Sequence, residues 1–169
     1  TDGTPLHSAA KTGKIEIVEI LLANGAQTNM EDEDGNIALH YAALGGHTLI
    51  AHELSNKGAS VHARHKYHRN AVHLAAEKGH TSTVEFLVES GGRLKEGDGH
   101  GFTPLHLAAS EGHAGTSRFL VERGTPVGIV DEFGATPINH AAVNGHSDAV
   151  EVLATLGANI NPSVGSPLG

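Results

Sequence analysis

The chain has 169 residues, a formal charge of −8, 22 glycines, no Cys, no Trp and only 4% aromatic residues. Without Cys there can be no disulfide, thiolate zinc site or cysteine nucleophile. The acidic balance argues against a general nucleic-acid binder, which needs clustered Lys and Arg. No apolar run approaches the roughly 20 residues that span a membrane and no secretory signal is visible, so an intracellular, cytoplasmic setting is expected.

In chain order, Thr4-Pro5 opens the first predicted helix, with Thr suited to the N-cap, where its hydroxyl can accept a backbone N–H, and Pro to the first helical position. Ala9-Ala10 makes that helix narrow, and Gly13 permits φ > 0 in the turn after it. A second helix follows in IEIVEILLANG, where Ile17, Val18, Leu21 and Leu22 have the spacing of an inward stripe, ending at Gly25. The next stretch, GAQTNMEDEDGN, reads as an extended excursion with a hairpin turn.

The pattern then returns every thirty-three residues: His7, His40, His73 and His106, with Asn139 at the fifth step, and Gly13, Gly46, Gly79, Gly112 and Gly145. The Ala pair recurs in all five units, and Leu54, Leu87, Leu120 and Leu153 repeat Leu21. Phe86 and Phe119 share the Ile20 slot and read as packing residues. A repeat of this length means a stacked array in which each unit buries its face on the next. Few aromatics and many glycines suit such an array better than a conventional core. The units run approximately 1–33, 34–66, 67–99, 100–132 and 133–162, within one domain spanning 1–169.

Unit two departs from the pattern, with Ile37-Ala38 in place of Thr-Pro and with Glu53 and Ser55 at otherwise apolar slots. Unit three has Asn70-Ala71 at the cap, so these two units are the expected weak point of the stack. Residues 163–169, with Gly165-Ser166-Pro167-Leu168, read either as the start of a truncated sixth unit or as a tail. The first reading makes the chain a fragment of a longer array.

The stretch Thr103-Pro104-Leu105-His106-Leu107-Ala108-Ala109 carries the T-P-L-H-x-A-A signature and resembles the ankyrin repeat, and the likeness covers five units, nearly the whole chain. The resemblance implies an all-α ankyrin-repeat solenoid of stacked helix-turn-helix pairs joined by β-hairpin-like loops. It implies that the signature histidines hydrogen-bond the hairpin backbone, and that His47, His80, His113 and His146 are structural too.

Six histidines lie outside these slots. His52 and His140 sit on helices with no partner pattern, and His62, His65 and His68 fall on one excursion with His100 on the next. Imidazoles suit zinc or copper. However, Arg64, Lys66 and Arg69 flank the group, and a solvated basic tip that could make binding pH-sensitive is the competing reading. No metal, cofactor or catalytic group is assigned: Gly97-Asp98-Gly99-His100-Gly101 sits at a turn, and Asp131-Glu132 is expected to be exposed on a tip.

Function is sought at slots that vary while the frame repeats. The first tip is acidic (Glu31-Asp32-Glu33-Asp34) and the second basic (Arg64-His65-Lys66-Tyr67). By resemblance, tips and first helices line a concave groove that grips partner proteins. Tyr67, Arg69, Phe102 and Phe133 are its candidate core, with Leu44 and Val143 as apolar contacts and Lys66, Glu77 and His100 at the rim. The other reading of the aromatics is packing beneath a neighbouring hairpin. The partner is then expected to be basic near the first tip and acidic near the second.

The function expected is a non-catalytic protein-interaction scaffold, monomeric as it stands. The alternative is a regulatory or targeting module of a larger enzyme, channel or effector. The resemblance also marks Asn29 and Asn161 as possible hydroxylation sites.

Overall fold

The computed structural model describes residues 3–161; the candidate sixth-unit start lies outside them. Ten helices appear among the described residues: α1 (Pro5–Thr12), α2 (Ile15–Ala23), α3 (Ala38–Leu44), α4 (Thr48–Asn56), α5 (Ala71–Glu77), α6 (Thr81–Glu89), α7 (Pro104–Ser110), α8 (Ala114–Glu122), α9 (Pro137–Val143) and α10 (Ser147–Thr155). Odd-numbered helices pack against one another in sequence, even-numbered helices do the same, and each unit's two helices pack together. The core is therefore a continuous slab between two helical rows. Small residues bring the first helices close, since Ala42, Ala43, Ala75, Ala76, Ala108 and Ala109 are fully buried. The larger Leu54, Leu87, Leu120 and Leu153 fill the space behind them, and Phe86 and Phe119 pack against this core.

The helix starts differ from expectation in mechanism. The Thr hydroxyl accepts no helix N–H. Instead the Thr4 backbone N–H donates to His7 Nδ1 at 2.9 Å, and the Thr4 hydroxyl lies 2.9 Å from the same nitrogen. A ring nitrogen accepting an N–H carries no proton itself, so Nε2 carries it and donates to the Asn36 carbonyl at 2.9 Å. His7 and, in unit two, His40 through the Ala63 carbonyl thus tie a helix start to the following excursion. Unit four repeats this with Thr103, His106 and the Ala135 carbonyl. Asn139 performs the helix-start half in unit five, where its Oδ1 accepts from the Thr136 N–H (2.9 Å) and hydroxyl (2.7 Å).

Unit two keeps this bond without a capping side chain, because the Ile37 N–H still donates to His40 Nδ1 at 3.0 Å. Of its two polar slots, Glu53 is partly exposed, and Ser55 Oγ is buried without a partner, as are Ser117 Oγ and Thr125 Oγ1 in unit four. Unit three does not lack a cap. Asn70 Oδ1 accepts the His73 backbone N–H at 3.1 Å and lies 2.7 Å from His73 Nδ1. The Asn70 N–H also reaches Nδ1, at 3.4 Å, and buried Nε2 has no hydrogen-bond partner among the described residues. Replacing Asn70 with Ala should lower stability by about 1–2 kcal/mol in chemical denaturation. An unchanged midpoint would show that Asn70 is no cap.

Ile17 is not inward-facing: it is 49% exposed, whereas its equivalents Ile50, Thr83, Thr116 and Ala149 are covered. In those units the preceding second helix does the covering, and no unit precedes α2 among the described residues.

Candidate functional site

Each excursion ends in a turn built on one acceptor at the same slot. Asp32 Oδ1 accepts the N–H groups of Asp34 and Asn36 at 2.9 and 2.8 Å. Asp98 Oδ1 does so for His100 and Phe102, and Asp131 Oδ1 for Phe133 and Ala135. At this slot in unit two, His65 Nδ1 accepts the Tyr67 N–H at 3.0 Å. These bonds set the apex residues Asp34, Tyr67, His100 and Phe133 in equivalent positions, thirty-three residues apart.

The second carboxylate oxygen carries the differences between units. Tyr41 OH donates to Asp32 Oδ2 at 2.6 Å, and His140 Nε2 lies 2.7 Å from Asp131 Oδ2. Both partners come from the same slot of a first helix, nine residues after the carboxylate. In unit four that slot is Leu107, which cannot donate. There Arg69 reaches over from the preceding tip, placing Nε 2.8 Å from Asp98 Oδ2 and Nη1 2.9 Å from Glu77 Oε2.

Burial pushes Asp32 up, but the bonds from Tyr41, Asn36 and Asp34 outweigh it and hold its carboxyl at about 2. The same carboxylate raises Tyr41 to about 12. Asp98 and Asp131 are also held low, each against a burial penalty. For Asp98 the opposing bonds come from the His100 N–H, Arg69 and the Phe102 N–H, and for Asp131 from His140, Ala135 and Phe133.

This arrangement corrects two expectations. His140 does have a partner, and Asp131 is buried rather than exposed. The signal was the nine-residue offset shared by Tyr41/Asp32 and His140/Asp131, visible only once the excursion turns back onto the helix.

The predicted site residues separate into two groups. Tyr67 (62% exposed), Phe133 (75%) and Val143 (85%) stand free. Phe102 is half-buried, with its ring centroid 5.2 Å from His140, 6.1 Å from His106 and 6.5 Å from Phe133. Leu44 is partly buried and packs on the core.

The cations of the second tip are engaged inside the array. Arg69 joins Asp98 and Glu77, Lys66 pairs with Asp34, and Arg64 lies 3.6 Å from Glu96. The opposite charges of the first two tips therefore meet each other. A hollow of about 450 Å³ lies between the second and third apices, lined by Tyr67, Arg69, Asp98 and His100 among others.

The histidine group does not converge. His65 is buried, with its ring 5.7 Å from that of His40, while His62 and His68 are exposed. His68 has φ +60°, where Gly35, Gly101 and Gly134 stand in the other turns. Among the described residues no group of three or more His, Cys, Asp or Glu is placed to hold a metal. Asn29 bridges units, donating to the Gly58 carbonyl and accepting the Ser60 N–H, both at 2.8 Å. Asn161 is exposed beside Asn159.

A stack of helix pairs with histidine-tied excursions and variable apices defines a repeat protein of the interaction-module class. The family model described as "Ankyrin repeats (3 copies)" matches residues 1–65, 50–131 and 72–164, and the chain belongs to the ankyrin-repeat family. Members of that family are generally protein–protein interaction modules and typically non-catalytic. A comparison with curated proteins found no match. No helix among the described residues is long and apolar enough to cross a membrane.

Proposed function

We propose that the protein is a scaffold whose excursion apices and first helices form the docking surface for a partner protein, with Tyr67 and Phe133 as principal anchors. The observation that carries this is their position. Both rings occupy the apex slot, which the turn hydrogen bonds set without any help from the side chain, and both remain largely in solvent. The frame has no need of an aromatic there, since Asp34 fills the same slot. Exposed aromatics of this kind supply large, rigid contact area on association.

Val143 extends the apolar surface on α9, and Phe102 supports it from below through its contact with Phe133. Arg69 and Glu77 act as positioning residues, since their bridge to Asp98 holds the second apex relative to the third.

The test is single Tyr67→Ala and Phe133→Ala substitution, with binding to a recovered partner and thermal unfolding measured side by side. Each should weaken binding by at least about tenfold, the effect of losing an aromatic hot spot, and leave the unfolding temperature unchanged. Unfolding without a binding defect would assign the rings to packing and overturn the proposal.

A further inference from the structure

The partner segment that this surface accepts is, we infer, positively charged, with an Arg or Lys seated on the Phe133 ring beside Glu132; the inference rests on the docking surface proposed above. The four apex segments (residues 31–36, 64–69, 97–102 and 130–135) hold seven carboxylates against three cations. Every one of those cations already has a carboxylate from within the array: Arg64 has Glu96, Lys66 has Asp34, and Arg69 has both Asp98 and Glu77. The basic second tip therefore has little positive charge left for an acidic partner. What remains outward is acidic at the first tip, through exposed Glu31, and at the fourth, through exposed Glu132.

The aromatic rings point independently to the same chemistry. Lys11 Nζ lies 5.7 Å from the Tyr41 ring centroid, Lys66 Nζ 5.0 Å from that of Tyr67, and the Arg123 guanidinium 5.0 Å from that of Phe119. Three rings are thus faced by a cation of the chain itself. Phe133 is more exposed than any of them, and among the described residues no Lys or Arg lies over it. The fourth apex segment contains no cation that could reach it. A ring face in water beside a carboxylate favours a guanidinium or ammonium through the ring quadrupole and the nearby negative charge together.

His140 lies behind Phe102, its ring 5.2 Å from that ring, and Phe102 in turn meets Phe133. His140 Nε2 faces buried Asp131, and its Nδ1 has no hydrogen-bond partner among the described residues and is not buried. Nδ1 is open to a donor from the same segment. Eight further cations lie off the apices, among them Lys11 over Tyr41, exposed Lys78 at the end of α5 and exposed Lys95 just before the third apex. None belongs to the fourth apex, where the seat is placed.

The experiment is selection of binders from a random twelve-residue peptide library on the whole protein, with recovered peptides titrated against Phe133→Ala, Phe133→Leu, Glu132→Lys and Tyr67→Ala. All three positions are exposed, and thermal unfolding confirms that each variant is folded. The expected result is peptides rich in Arg or Lys whose affinity falls about tenfold with Phe133→Leu and with Glu132→Lys, and falls further as salt rises. Neutral or acidic peptides that still depend on Tyr67 and Phe133 would overturn the charge inference and leave the docking surface standing. Basic peptides indifferent to all four substitutions would overturn both, as would the absence of any recovered binder.

Discussion

Lowering the pH from 7.5 to 5 should destabilise the protein by about 4 kcal/mol, with His40 and His73 contributing about 2 kcal/mol each. Burial holds both imidazoles at about 4, against an ordinary value of 6.5. For His40 burial outweighs the favourable bond to the Ala63 carbonyl, and for His73 it outweighs the attraction of Asp98. The sign follows directly. The unfolded chain takes up these protons near its ordinary value and the folded chain only near 4, so stability is full above about 6.5 and falls as the pH drops towards 4. His65 and His106, also lowered by burial, act in the same direction.

Protonation also breaks a structural bond at His40. Nδ1 accepts the Ile37 N–H at 3.0 Å, and a proton there would leave that N–H without an acceptor. Below about pH 4 the lowered carboxyls of Asp32, Asp98 and Asp131 become the next groups whose stabilisation is lost. Urea denaturation across this range reads the effect directly. In His40→Asn together with His73→Asn the slope between pH 7.5 and 5 should largely vanish; Asn is chosen because Asn139 already takes the helix-start role in unit five. A slope unchanged in that variant would show that these two sites are not the source.

Gly112→Ala should cost about 3 kcal/mol and Gly145→Ala only about 1 kcal/mol, although the two glycines have the same slot and φ values of +77° and +76°. Left-handed backbone strain is common to both. The difference comes from the next unit: a Cβ on Gly112 would lie 2.6 Å from His146 Nδ1, and one on Gly145 would meet nothing within 4 Å among the described residues. Gly13 and Gly46 are crowded in the same way by His47 and His80, also at 2.6 Å. The histidine after each inter-helix glycine therefore packs over the preceding unit's glycine, and His80 and His113 add bonds to the Leu44 and Glu77 carbonyls. Equal losses at Gly112 and Gly145, measured by denaturation, would mean that backbone conformation alone sets the cost.

Much of the fold was legible because its causes are local. Pro at a helix start, glycine at left-handed turns and Ala pairs on the narrow face act within a few residues, and thirty-three-residue spacing repeats them until no other architecture fits. Even the helix-start histidines stood out from spacing, although which nitrogen bonds to what did not. The site was only half legible. Tyr67 and Phe133 could be singled out because an aromatic at a varying slot departs from the frame, and the structure places both in solvent.

The charges could not be read that way. Arg69 stood in the sequence as an anchor for a partner, but its guanidinium joins residues 29 positions ahead and 8 positions ahead. Lys66 meets Asp34 across 32 positions. By itself the sequence determined the repeat, the two helical rows, the turn positions and the exposed apices, because backbone preference and hydrophobic spacing act along the chain. Only the tertiary structure decided which polar side chains are already paired: that depends on where neighbouring tips meet, which sets the opposite charges of the first two tips against each other and leaves Phe133 and Glu132 facing outward.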